Sequence, residues 1–139
     1  MIQKAPISMI MTKDVITLKT TDSLETAELV FKRHKIRHIP IVDQTRIKGM
    51  LSYTDVLRLS FADITGVRNH PADTTIYSML TISQVMTQNI VSVSSTKSIK
   101  QVAEVFAVKE FHALPVVDKN VLKGIVTTTD LIKYLIAQF

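Results

Sequence analysis

The sequence predicts an α+β chain in which one unit is written twice, each copy running strand, helix, strand, strand, helix. The first of three supporting observations is a self-match. Slid against itself, the chain agrees at an offset of 75 residues, pairing residues 7–64 with 82–139 without a gap. Sixteen of the 58 paired positions are identical, among them Met11, Thr12, Phe31, Pro40, Val42, Asp43, Lys48, Gly49, Thr54 and Asp55. The second is the period of the apolar residues, which is helical over Leu24, Ala27 and Phe31 and again over Ile99, Val102, Ala103 and Phe106. The third is a β-branched run in each copy, Ile39–Asp43 and Leu114–Asp118, closed by a turn and followed by another apolar stretch. Two copies of one unit share one fold, and the expected packing is about a pseudo-twofold axis.

The elements follow in order. Val15–Leu18 and Ile90–Val93 are short β-branched stretches that read as first strands. Asp22, with Glu25 three residues on, reads as a capped helix start. Ile39–Asp43 and Leu114–Asp118 read as strands, with turns at Asp43–Arg46 and Asp118–Asn120. Pro40 and Pro115 cannot donate to a ladder, so a first position or an edge is expected for them. The next strands are Ile47–Ser52 and Val121–Thr127, and helices close the copies from Thr54 and Thr129 onward. The copies span 1–64 and 82–139. The connector between them, 65–81, is punctuated by Gly66 and Pro71, and Ile76, Tyr77, Met79 and Leu80 suggest a short helix in its second part.

Composition narrows the function. With 139 residues, 46% apolar and 21% charged, the chain can bury a core but not two large ones. The absence of cysteine excludes disulfides, thiolate metal sites and a cysteine nucleophile, and fits a reducing cytoplasm. No apolar run approaches the roughly 18 residues of a spanning helix, so no membrane role is expected. The first residues, with Pro6 and nearby charges, do not read as a signal peptide. Neither GxxxxGK[ST] nor GxGxxG is present. His34 and His38 are four apart, but the helix should end between them, and His70 stands alone in the connector, so no metal site is expected. No nucleophile, base and orienter converge, so no catalytic residue is nominated and an enzyme is not expected. The formal charge of +5 favours an anionic partner without choosing one.

The residues that can carry chemistry cluster at two places in each copy. Gly49–Asp55 and Gly124–Asp130 put a carboxylate at a strand-to-helix junction, preceded by the hydroxyls of Ser52 and Thr127. Such an aspartate can accept both hydrogen bonds of a ribose diol. Equally, Thr54 and Thr129 can be N-caps, with Asp55 and Asp130 favourable in a positive first turn. The second place precedes each proline: Ile36-Arg37-His38 and Phe111-His112-Ala113. The run Lys32-Arg33-His34-Lys35 lies just upstream. It reads as a solvated helix end or as an electropositive mouth for phosphates, whereas copy two has Ala107, Val108, Lys109 and Glu110 there.

IRHIPIVDQTRIKGMLSYTDVL and FHALPVVDKNVLKGIVTTTDLI resemble the second half of a CBS domain, named for cystathionine β-synthase, and VITLKTTDSLETAELVFKRHK with IVSVSSTKSIKQVAEVFAVKE resembles the first half. The resemblance implies a tandem pair of βαββα units, adenosyl ligands in clefts between the copies, and commonly homodimerisation. It assigns ribose to Asp55 and Asp130. It places Ile36 and Phe111 against the base, Arg37 and His112 near phosphates, and ligand-contacting hydroxyls at Thr17 and Ser92. As implied, the sites are crossed: Asp130 and Thr127 group with Thr17, Ile36 and Arg37, and Asp55 and Ser52 with Ser92, Phe111 and His112. The expected function is regulatory and of the energy-sensing kind. AMP, ADP, ATP or S-adenosylmethionine would act as ligand, no cofactor would be required, and an effector protein in trans would read occupancy. A ligand-free dimerisation or docking module is the alternative, and nucleic-acid binding ranks last.

Overall fold

A computed structural model describes residues 4–65 and 79–139. Ile76, Tyr77 and His70 of the connector lie outside them. The chain is α+β, and its packing separates into two units. One is Ile16–Ile90; the other joins the segment up to Val15 to Val91–Phe139.

The first-repeat unit contains strand β1 (Leu18–Lys19), helix α1 (Leu24–His34), strands β2 (His38–Asp43) and β3 (Arg46–Ser52), helix α2 (Tyr53–Thr65) and the short helix α3 (Ile82–Val85). Strand β2 pairs in parallel with β1 and antiparallel with β3. The expected strand Val15–Leu18 is therefore shorter and later. The start of α1 also differs from expectation. Ser23, in extended backbone, is the N-cap and accepts from Thr26 N at 3.1 Å. Asp22 instead accepts from Lys19 N at 2.7 Å and closes the turn ahead of the helix. Leu24, Ala27 and Phe31 line the buried face and meet Ile39, Ile41, Leu51 and Val56. The ring of Tyr53 stacks on Phe31 with centroids 5.1 Å apart.

The second-repeat unit repeats the plan with α4 (Ile99–Lys109), β4 (Ala113–Asp118), β5 (Val121–Thr127) and α5 (Thr128–Ala137). In place of the expected strand Ile90–Val93 there is a single bridge from Val93 to Val116. A complete capping box opens α4, where Ser98 and Gln101 satisfy each other's backbone N–H. Val102, Phe106, Leu114, Val116 and Val126 form the core. Lys119 and Asn120 turn the hairpin at positive φ.

Both prolines sit third in their strands, not first. The reason is the far side of the partner strand. Pro40 is opposite Met50, whose N–H and C=O both engage Thr87, at 3.0 and 2.9 Å. Pro115 is opposite Ile125, whose N–H and C=O both engage Thr12, at 3.0 and 2.8 Å. These are non-hydrogen-bonded pairs, so neither partner asks for the N–H that proline lacks.

Those same bonds define two straps. Residues 5–12 belong in sequence to the first repeat but pack on the second: Ile7 is completely buried in the second core, its N–H bonded to Lys97 O. Residues 82–87 do the reverse, and Ile82 is completely buried in the first core. Each strap lies on a glycine. A Cβ on Gly124 would stand 2.7 Å from Met11 Sδ, and one on Gly49 would stand 2.5 Å from Met86 Sδ.

Candidate functional site

Each unit gathers its own nominated residues at one end of its hairpin. In the first-repeat unit Ser52 closes β3 opposite His38, and α2 begins at the next residue. The first helical N–H, of Tyr53, reaches back 2.8 Å to Arg37 O, fixing the pre-proline segment beside the helix N-terminus. Ser52 Oγ accepts from Asp55 N at 3.1 Å, and Asp55 Oδ1 lies 3.7 Å from Arg58. Arg37 is exposed, and Ile36 is half-buried against the core. Thr17 precedes β1, whose register with Ile41 brings it level with Pro40.

The second-repeat unit has the same plan. Thr128 N reaches His112 O at 3.1 Å, and Ala113 pairs with Thr127. Thr127 Oγ1 accepts from Asp130 N at 3.1 Å while Asp130 Oδ2 accepts from Thr127 N at 2.9 Å, a closed capping box. Phe111 is exposed at 37%, whereas Ile36 is half-buried. His112 and Ser92 are exposed as well. Ser92 directly precedes Val93, whose N–H and C=O are tied to Pro115 and Val117.

The caps are thus Ser52 and Thr127, not Thr54 and Thr129. The signal was in the sequence: Ser52-Tyr53-Thr54-Asp55 and Thr127-Thr128-Thr129-Asp130 both have the [ST]-x-x-[DE] spacing of a capping box. Capping and ligand binding are not exclusive here. A carboxylate offers about four lone-pair positions, and the Thr127 bond uses one of those on Asp130 Oδ2. Oδ1 can still accept from a hydroxyl. Each capping hydroxyl accepts with its oxygen and retains its own O–H to donate.

The charges around the two ends differ. Lys32 pairs with Glu28 at 3.0 Å, and that hydrogen bond raises the lysine pKa above its ordinary value. Arg33, His34, Lys35 and Arg37 continue the run, all exposed. Helix α1 ends at Lys35 in left-handed backbone, and helix α4 ends at Glu110 in the same conformation, so the corresponding position changes from cation to anion.

One cluster escaped the sequence reading. Asp118 accepts from Ser94 Oγ (3.1 Å), Ser95 N (3.0 Å) and Ser95 Oγ (2.5 Å), which together hold its pKa below the ordinary value, Ser95 first. It ties the loop after Val93 to the end of β4. The first repeat has Lys19 and Thr20 where Ser94 and Ser95 stand, so comparing the copies would have singled it out. Among the described residues no group of His, Asp and Glu is placed to hold a metal ion, and no helix is long and apolar enough to cross a membrane.

With this geometry in hand, comparison with known proteins defines the class. The CBS domain model matches residues 7–62 and again 82–137. The chain belongs to the CBS domain family, as a tandem pair. It is 31% identical to the CBS domain-containing protein YhcV of Bacillus subtilis over 121 residues, covering 87% of this chain and 79% of YhcV. It is 27% identical over 124 residues to MJ1225 of Methanocaldococcus jannaschii, covering 88% of this chain but 44% of MJ1225, so it spans less than half of that relative. The crystal structure of MJ1225 superposes with a TM-score of 0.82 at 25% identity, over 96% of this chain and 48% of that one. The CBS domain pair of MJ0100, solved with 5′-methylthioadenosine and S-adenosyl-L-methionine, gives a TM-score of 0.78 over 97% of this chain and 98% of that one. At 23% identity that likeness shows the fold alone.

Proposed function

We propose that this chain is a regulatory CBS pair that binds an adenosine-containing ligand and passes occupancy to a partner protein. The observation that carries it is the repeated junction. In both copies a carboxylate stands in the first turn of a helix whose leading N–H groups are held by a capping hydroxyl and by the carbonyl of Arg37 or His112. Such a junction offers an acceptor for a ribose diol and a positive helix end for a phosphate in one place. The same fold in MJ0100 was solved with two adenosyl compounds. In this reading Asp55 and Asp130 accept the ribose, Ser52, Thr127, Thr17 and Ser92 add hydroxyl contacts, and Phe111 and Ile36 wall the base. Arg37 and His112 meet the phosphates. Occupancy favours one arrangement of the chain over another, and the partner reads that shift. The reading holds the protein to be non-catalytic, cytoplasmic and homodimeric.

The test is titration calorimetry with AMP, ADP, ATP and S-adenosylmethionine, with Asp55→Ala and Asp130→Ala alongside and folding checked by circular dichroism. Saturable heat that falls in steps across the two variants supports two ribose sites. Double variants that combine either aspartate with Arg37→Ala or His112→Ala then read which groups share a site, because partners in one site are non-additive.

A second reading, a ligand-free docking module, is favoured by a different observation. Helix α5 buries none of its residues, and Ile132, Leu135 and Ile136 are more than half exposed along it. A folded dimer that takes up no adenosyl compound would support that reading and return both aspartates to helix capping.

A further inference from the structure

The two ends that carry the nominated residues are alike in backbone and unlike in charge. Each has a helix running into it, α1 or α4, that stops in left-handed backbone two residues before the phosphate candidate. Each has a second helix running out of it, α2 or α5, whose first N–H is bonded to that candidate's carbonyl. The backbone arrangement is thereby held constant, and the difference is left to the side chains.

At the Arg37 end, Arg33, Lys35 and Arg37 are exposed on six consecutive residues with Lys32, and among the described residues only Lys32 is matched by a carboxylate, Glu28. At the His112 end the corresponding residues are Ala107, Val108, Lys109 and Glu110, with the imidazole of His112 in place of the guanidinium. Glu28 itself corresponds to Ala103. An arginine can hold two phosphate oxygens at once, which an imidazole cannot.

We infer, resting on the adenosine reading above, that the two ends divide adenosyl ligands by the charge of the tail. The Arg37 end takes the di- and triphosphates. The His112 end takes adenosyl compounds whose tail is a monophosphate or carries no phosphate. One chain could then report the ratio of two adenosyl pools instead of the concentration of one.

The experiment is a calorimetric series with 5′-methylthioadenosine, AMP, ADP and ATP at low and at high salt, on the full chain and on Arg37→Gln, Arg33→Gln and His112→Gln. The parent should show one class of site whose affinity climbs from AMP to ATP. A charge-assisted contact to a phosphate makes that climb about tenfold or more at low salt, and screening should flatten it. Arg37→Gln should remove most of the climb, Arg33→Gln part of it, and His112→Gln none. A fold defect would lower all four ligands together and leave their ratio alone. An equal climb in Arg37→Gln and the parent, or loss of the climb in His112→Gln, overturns the division while leaving adenosine binding intact. No uptake of any of the four ligands by the folded parent overturns the adenosine reading, and this inference with it.

Discussion

Asp55 and Asp130 are the same residue in the two repeats, yet they do different amounts of structural work. Asp130 Oδ2 receives the N–H of Thr127 and closes a capping box, whereas Asp55 has the exposed Arg58 at 3.7 Å. Replacing Asp130 by alanine should therefore cost about 1 kcal/mol of stability, and replacing Asp55 should cost a few tenths, since exposed ion pairs contribute little. Urea unfolding of the two variants checks this, and equal losses would show that the first repeat closes the same box. A second prediction at this scale concerns acid. Asp118 is held below its ordinary pKa of 3.8 by Ser95 and Ser94. A carboxylate whose folded pKa is depressed binds fewer protons folded than unfolded. Its contribution is complete above the unfolded value and is lost as pH falls through the folded one. Asp118→Asn should therefore flatten the decline of stability with acidification below about pH 4, and Ser95→Ala should flatten it in part. Unfolding midpoints across that range measure the slope, and an Asp118→Asn slope equal to the parent's would show that the serines do not set it.

Strands and helices were legible where one period dominates. The stretch Ile39-Pro40-Ile41-Val42-Asp43 declares a strand by its β-branched residues, and Val121–Thr127 was placed to the residue. The errors are local. A cap is decided by which hydroxyl reaches the third helical N–H, so Ser23 displaced Asp22, and Ser52 and Thr127 displaced Thr54 and Thr129. Likewise the first strands shrank to Leu18–Lys19 and to the single bridge at Val93, because their length depends on partners elsewhere in the chain. Of the candidate site, the first-turn positions of Asp55 and Asp130 were readable, but the two-way use of Asp130 was not. Glycine is where an element-scale prediction can be made. A Cβ on Gly124 would stand 2.7 Å from Met11 Sδ and 2.8 Å from Thr12 O; on Gly49 the corresponding distances are 2.5 and 2.7 Å. The thioether can swing away but the carbonyl, held in the strap's hydrogen bonds, cannot. Gly124→Ala and Gly49→Ala should each cost about 1–3 kcal/mol, as overpacking does, and adding Met11→Ala or Met86→Ala should recover only part of it. Full recovery would place the strain on the sulfur alone.

At the scale of the whole molecule, the repeat in the sequence and the unit in space are not the same set of residues. The gap-free match makes residues 7–64 one copy, but Ile7 and Met11 pack on the core of the other, and Ile82 and Met86 return the exchange. A self-comparison cannot show this, because an exchange of equivalent segments leaves the two copies equally similar. The exchange makes each repeat depend on chain that belongs to the other, and it can be tested by where damage appears. Ile7 is completely buried among Ile99, Val102, Leu114 and Val126, so Ile7→Ala should cost about 2–5 kcal/mol. The loss should fall first on the second repeat. Hydrogen exchange should speed up at the amides of β4, β5 and α4 before those of β2, β3 and α1, because local opening is confined to the unit that lost the contact. Ile82→Ala should give the mirror image, with the first repeat opening ahead of the second. If Ile7→Ala instead opens β2 and β3 first, each repeat is its own folding unit and the straps are ornament; if both variants follow the crossed pattern, neither copy can be cut out at its repeat boundary and keep its core.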